Sequence, residues 1–360
     1  MAERNGGNET VAMVLGGGVA LGAYQAGAYA ALHESGGPAP DWLAGSSIGA
    51  VNAAVIAGNA PERRVERLRA FWEAAAMRSV LPFLPSWVSG HGGWRHAHNW
   101  LSALRIRLLG RPGFFRPRLP GSASAAPSLY DLRPFRRRLE EFIDFARLNT
   151  GAPRLTVVTT DIETGDAVVF DTARGDRIAP EHLLATCGFL PDFPPVEIGG
   201  RLLGDGGLVA NVPVRTVLLG GTDLCFVLDL FARDGRRPRS LETASARQWD
   251  LILANQTHCA LEACRREYEL RAELARLAAR LPPELRDPDS AAEGAAGTAR
   301  VLFMSYHAPP DEAGSGRMYD FSRRTLLDRW EAGALDMAEA LRVLAAEGAG
   351  PGLDIRVIRR

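Results

Sequence analysis

Apolar residues in this chain fall into short unbroken runs separated by longer stretches of helical period. Val11-Ala12-Met13-Val14-Leu15 is followed by a glycine turn. Trp42-Leu43-Ala44 is followed by another. Runs of this length without alternation predict strands buried on both faces, as in a parallel sheet. A helix is predicted over Gly22–Glu34, its small residues Gly22, Ala23, Ala26, Gly27 and Ala30 suited to close packing on a sheet. The helix after the second turn, Ile48–Ala57, stops at Gly58-Asn59. Pro61 opens another, reaching about Ala76, with Val65, Leu68, Phe71 and Trp72 as its apolar stripe. Further on, the pattern predicts a helix over Tyr130–Leu148 and strands at Leu155–Thr160, Ala167–Phe170, Arg201–Leu203 and Leu224–Leu230. A long helix follows over Ala246–Leu281, with Trp249, Ile252, Leu253 and Ala260 on one face and i,i+4 pairs Glu262/Arg266 and Glu267/Arg271. Arg280–Gly297 reads as a polar connector, Val301–Tyr306 as a strand, Thr325–Ala346 as a helix and Ile355–Ile358 as a last strand. Strands alternating with helices argue for α/β layers around a mainly parallel sheet.

One stretch breaks the pattern. Between about Met77 and Ser128, prolines and glycines crowd among Trp87, Trp94, Trp100, Phe114 and Phe115. Arginines at 95, 105, 107, 111, 116 and 118 are interleaved, and Gly121–Ala126 is small and polar. This reads as a long insertion with little regular structure, either a lid or lipid-facing surface in which Phe114-Phe115 bury and guanidinium groups meet phosphates, or a structured loop packed on the protein's own surface.

The two glycine turns carry the chemistry. Gly45-Ser46-Ser47-Ile48-Gly49 has the Gly-x-Ser-x-Gly spacing that holds a serine in a tight strand-to-helix bend with its hydroxyl exposed. Gly16-Gly17-Gly18 can offer free backbone N–H groups to an oxyanion at a helix start. A nucleophile beside oxyanion donors points to acyl transfer. A base is also needed, and Asp205-Gly206-Gly207 ends a short apolar strand where two glycines permit close approach. Histidine is the usual partner of serine. The seven are His33, His91, His96, His98, His182, His258 and His307, and His307, just after a strand, is the best positioned. His91, His96 and His98 do not share their spacing with a carboxylate or cysteine, so no metal site is expected.

The combination of Gly16-Gly17-Gly18, Gly45-Ser46-Ser47-Ile48-Gly49 and Asp205–Pro213, in this order, resembles the patatin-like phospholipases over about residues 11–215. Leu184–Val196 resembles the segment before the aspartate in that family. The resemblance implies a three-layer α/β/α, patatin-like fold and a Ser-Asp dyad without histidine. Ser47 would be the nucleophile, Asp205 the base, and Gly16, Gly17 and Gly18 the oxyanion loop, chiefly through Gly17 and Gly18. It further implies a lipid or other acyl-ester substrate and no cofactor. The loop departs from the usual Gly-Gly-Gly-x-Arg-Gly: Gly18-Val19-Ala20-Leu21-Gly22 is apolar and one residue longer. Residues 216–360 resemble a C-terminal extension of a bacterial subgroup, through Tyr319–Leu326 and Arg329-Trp330-Glu331-Ala332-Gly333. Their chemistry assigns them no role.

Composition narrows the rest. Formal charge is zero, with 42 basic and 42 acidic residues, so nucleic acid is not an expected partner. All the positive charge is arginine. Cys187, Cys225, Cys259 and Cys264 have no C-x-x-C spacing and read as reduced thiols. No secretory h-region and no run of about 18 apolar residues is visible, so a cytoplasmic protein with transient membrane contact is expected. Three other readings stand beside the dyad. An α/β-hydrolase could use Ser47, Asp205 and either His258 or His307, although its elbow normally follows several strands. A dinucleotide module could use Gly16–Gly22, although the glycine spacing and Asp41 do not fit. A catalytically silent relative could serve as an interaction protein.

Overall fold

The computed structural model describes residues 9–77, 92–118, 128–282, 297–309, 312 and 314–359, with the side chains of 92–97 and of 315 left out. Its strands are β1 Val11–Leu15, β2 Trp42–Ser46, β3 Arg116–Pro117, β4 Tyr130–Asp131, β5 Arg154–Asp161, β6 Ala167–Asp171, β7 Val196–Ile198, β8 Arg201–Asp205, β9 Leu224–Asp229, β10 Ala299–Ser305 and β11 Leu353–Val357. Its helices are α1 Ala23–Glu34, α2 Ile48–Ala57, α3 Arg64–Ala75, α4 Gly92–Leu109, α5 Arg133–Phe142, α6 Phe145–Leu148, α7 Pro180–Thr186, α8 Val214–Leu218, α9 Leu241–Ala279 and α10 Arg323–Ala346.

One sheet dominates, in the order β11-β10-β9-β1-β2-β5-β8-β7, with β6 also paired to β5. The pairs from β11 through β5 are parallel. Those that β5 makes with β6 and β8, and β7 with β8, are antiparallel. This is the expected mainly parallel sheet between helical layers. The parallel core explains the unbroken apolar runs: every residue of β1, β2 and β9 is buried. Both strand ends that carry the glycine turns are central, β1 lying between β9 and β2.

Residues after 215 complete this sheet. β9 pairs with β1 and β10 with β9, and α10 packs on α1. The α1–α10 crossing is backbone to backbone. A Cβ on Gly27 would lie 1.9 Å from Trp330 O, and one on Gly333 would lie 1.9 Å from Tyr24 O. The two glycines let the helices approach where any side chain would force them apart.

Several expectations change. The 77–128 stretch contains α4 and β3, which pairs antiparallel with β4 just beyond it, so it has more regular structure than its composition suggests. Trp87 and the Gly121–Ala126 run lie outside the described residues, as do the side chains of Trp94 and Arg95. Phe114 and Phe115 are not lipid-facing: both are buried, in edge and stacked contacts with Phe71, Phe135, Phe193 and Tyr130. The predicted Tyr130–Leu148 helix is split. Tyr130-Asp131 pairs as β4, Pro134 opens α5 within its first turn, and Asp144 caps α6 through the N–H groups of Ala146 and Arg147. The long helix starts five residues earlier than expected, because the Ser240 side chain caps it by accepting from Thr243 N–H. Glu267 pairs with Arg271 as expected, but Glu262 pairs with Arg265, not Arg266. Most of the Arg280–Gly297 connector lies outside the described residues.

Candidate active site

The sheet register brings the serine and the aspartate together. Along β5, Val158 is opposite Ser46 of β2. The next residue, Thr159, is opposite Asp205 of β8, which arrives from the other direction. Successive positions of one strand thus hold the residue before Ser47 and Asp205 itself. Thr160 Oγ1 donates to the Asp205 carbonyl at 2.7 Å and secures the end of β8.

Ser47 has φ 54° and ψ −131°, at the start of α2. The glycines around it answer to contacts. A Cβ on Gly45 would lie 2.6 Å from Ala50 N, and one on Gly49 would lie 2.2 Å from Leu15 O. The first glycine lets the turn fold back on its helix; the second lets that helix meet the end of β1. Val19 is the other non-glycine residue with positive φ among the described residues, at 52°. A β-branched residue there is strained. Ser47 and Val19 line the same cavity. Strained backbone persists where its surroundings over-determine it, and it clusters at functional sites.

The cavity has a volume of about 90 Å³ and runs from the Gly17–Val19 turn, Ser47 and Asp205 into aromatic walls. Phe71, Phe114 and Phe135 line it in mutual ring contact, as do the pairs Phe115–Phe193 and Phe189–Trp249. Its surface is overwhelmingly apolar, which suits a hydrocarbon chain.

Asp205 is 2% exposed. Burial pushes its carboxyl up to about 7, against the opposing hydrogen bonds from the Ser47 side chain and Gly207 N–H. The latter is 2.7 Å long. Cys187 also faces Ser47, and burial, then the charge of Asp205, raises its thiol well above the usual range. Cys187 is therefore a neutral neighbour, not a competing nucleophile. The adjacent Ser46 is fully buried and donates to Ala210 O at 2.8 Å, which removes it from the cavity.

The glycine turn divides by what its N–H groups bond. Gly16 N–H donates to Leu228 O at 3.1 Å and Gly16 does not line the cavity. The expectation of Gly16 as an oxyanion donor gives way to a role in anchoring the turn to β9. Gly17 N–H donates to Asn211, both O at 3.3 Å and Oδ1 at 3.2 Å, so the expectation of Gly17 as a chief oxyanion donor gives way as well, although the residue lines the cavity. Gly18 and Val19 line the cavity, and among the described residues no protein acceptor takes their N–H groups.

The histidines lie elsewhere. None among the described residues lines this cavity. His258 packs edge-on against Phe303 at 5.3 Å, and burial followed by Arg233 lowers its pKa. His307 is exposed, with Nδ1 3.0 Å from Ser305 O. His33 stacks on Tyr29 and His182 accepts from Ala179 N–H. His91 and the His96 side chain lie outside the described residues. Among the described residues no group of three or more histidine, cysteine or carboxylate side chains is arranged to hold a metal, and no helix is long and apolar enough to cross a membrane.

Sequence reasoning missed two residues. Thr186 accepts from Ser47 N–H at 2.9 Å and so fixes the elbow to α7. Asn211 pins Gly17 by accepting its N–H, and the buried Nδ2 finds no acceptor to donate to. Both sit inside segments already singled out, Leu184–Val196 and Asp205–Pro213. Their polar character amid apolar neighbours was the available signal.

Residues 13–218 match the family described as patatin-like phospholipase, and residues 253–348 match a second described as patatin phospholipase. No curated protein matches the chain. The solved structure of VipD from Legionella pneumophila aligns with 91% of this chain and 67% of its own length, at 12% identity and a TM-score of 0.37. That of the type III effector protein ExoU aligns with 91% of this chain and 54% of its own, at 15% identity and a TM-score of 0.27. The first family match spans more than half of the sequence, and the chain belongs to the patatin-like phospholipase family.

Proposed function

We propose that this protein is a serine acyl hydrolase that cleaves a lipid or similar acyl ester through an acyl-enzyme, with Ser47 as nucleophile and Asp205 as its base. The observation that carries the reading is geometric: Ser47 and the buried Asp205 line one apolar cavity together with Gly18 and Val19, and burial raises the Asp205 carboxyl toward neutrality. Ser47 Oγ attacks the ester carbonyl as Asp205 takes its proton. The N–H groups of Gly18 and Val19 receive the oxyanion, and the N-terminus of α2 adds a favourable dipole. Asp205 returns the proton to the leaving alkoxide. It then takes a proton from the water that attacks the acyl-enzyme and gives it to Ser47 Oγ as the acyl–oxygen bond breaks and the acid leaves. The acyl chain lies against the aromatic walls.

The triad alternative needs a histidine beside Ser47, and neither His258 nor His307 lines the cavity. A fluorophosphonate probe tests the choice. One equivalent is expected on Ser47, with labelling and ester turnover within about threefold of wild type in His258→Ala and His307→Ala. If either histidine variant is as inactive as Ser47→Ala, the dyad is wrong.

α4 supports a membrane-contact reading. Asn99, Ser102, Ala103 and Ile106 face the protein, while Trp100, Leu104 and Leu108 form an exposed apolar line with Arg105 beside it. That pattern suits an interfacial helix. Wild type should pellet with anionic vesicles in a salt-sensitive way. A Leu104→Ser/Leu108→Ser variant should stay in solution while hydrolysing a soluble short-chain ester normally. Equal pelleting of both proteins would remove α4 from the contact.

A further inference from the structure

The C-terminal motif Tyr319–Gly333 touches the site, and its centre is Arg329. This arginine is fully buried, on the first turns of α10. Its fork meets Glu312 in two parallel bonds, Nε to Oε1 at 3.1 Å and Nη2 to Oε2 at 3.0 Å. Nη2 also donates to Arg317 O at 2.9 Å. Nη1 donates to Asp320 O at 3.2 Å and to Ala20 O at 3.0 Å. Tyr306 OH also donates to Glu312 Oε1.

Stability alone does not account for this arrangement. Two charges taken out of water recover little net free energy, and a buried ion pair is often matched by an apolar replacement. What sets this pair apart is where the remaining donors go. Arg317 and Asp320 flank Met318 and Tyr319, which line the cavity, as does Phe321. Ala20 belongs to the glycine turn itself, one residue after the strained Val19. One planar group therefore holds the cavity wall and the oxyanion turn in a common frame. A lysine, with a single point of charge, cannot hold these acceptors at once. The turn carries no polar side chain of its own between Gly18 and Gly22 to do the same from within.

We propose that Arg329, oriented by Glu312, is the positioning residue of the glycine turn. By fixing the Ala20 carbonyl it keeps the Gly18 and Val19 N–H groups aimed at the substrate carbonyl. The C-terminal segment is thus part of the catalytic apparatus, although it contributes no reacting atom. The inference rests on the acyl-hydrolase reading and deepens it.

The test compares Arg329→Lys, Glu312→Gln and a control, Arg300→Lys. The control disturbs another buried arginine, which is paired with Asp354 and donates to Glu347 O away from the turn. Each full-length protein is assayed for thermal midpoint, for kcat and KM on a soluble short-chain ester, and for its rate of phosphonylation by a fluorophosphonate. A misaimed oxyanion donor costs about 10–100-fold in rate while ground-state binding survives. Arg329→Lys is expected to lose kcat and phosphonylation rate by that factor, with KM within about threefold of wild type. Arg300→Lys should keep kcat whatever its thermal midpoint. If Arg329→Lys does not fold, Glu312→Gln carries the test with the same split. A folded Arg329→Lys or Glu312→Gln with wild-type kcat, or with KM raised and kcat intact, overturns the proposal. Ser47→Ala in the same assay keeps the two readings apart. If it is active, the nucleophile is misassigned. If it is inactive beside a fully active Arg329→Lys, only the positioning role falls.

Discussion

Ser47→Ala is expected to lower ester turnover by about 10⁴-fold or more and to abolish probe labelling, with the fold intact. The backbone reasons are specific. Alanine keeps the Cβ, so the φ of 54° at the elbow is no worse tolerated than before. The bonds that hold the turn are made by backbone: Ser47 N–H to Thr186, and the Ser47 carbonyl from Val51 N–H at 3.2 Å. What disappears is the single hydroxyl facing Asp205. Ser46 cannot substitute, since its hydroxyl is buried against Ala210 O on the other side of the strand end. Circular dichroism and the thermal midpoint should match wild type, while kcat on a soluble ester falls to background. Turnover retained in this variant would remove the acyl-enzyme mechanism altogether.

The sheet was legible in the sequence because parallel strands buried on both faces leave uninterrupted apolar runs, as in β1 and β9. The site was legible because backbone crowding is written in glycine. Gly45, Gly49 and Gly206 each stand where a Cβ would meet backbone within 2.6 Å, and these contacts fix the motif spacings. Features that depend on long-range partners were not legible. Phe114 and Phe115 beside arginines look like an interfacial patch until Phe71, Phe135 and Phe193 are brought against them. Gly16 and Gly17 look equivalent to Gly18 until Leu228 and Asn211 claim their N–H groups. Arg329 looks like any helix arginine, since nothing local announces that its partners are Glu312, 17 residues earlier, and Ala20, 309 residues earlier.

Asp205→Asn is expected to lose activity nearly as completely as Ser47→Ala, yet to be more stable than wild type at alkaline pH. The amide cannot accept the serine proton, so kcat should fall by about 10³-fold or more. Stability moves the other way because the folded carboxyl sits at about 7 against an ordinary 3.8. Between these values the folded state holds a proton that the unfolded state has released. The stabilising contribution is therefore complete below about 4 and lost as pH rises through about 7. Above that range wild type must carry a desolvated charge, which the neutral amide does not. Asp229 is shifted to about 7 in the same direction by burial, but it is present in both proteins and cancels in the difference. The variant should melt about 2–4 °C above wild type at pH 8.5, and the gap should narrow as pH falls through about 7 and close below about pH 4. Wild-type kcat/KM should rise with pH through about 7, since the ionised carboxylate is the competent base. Organic cosolvent should move that midpoint upward, because ionising a carboxyl creates charge, whereas ionising an imidazolium only transfers it. Equal melting at pH 8.5 would mean that the buried carboxyl stores no such cost. A midpoint that ignores cosolvent would point to a histidine base and would return the triad to contention.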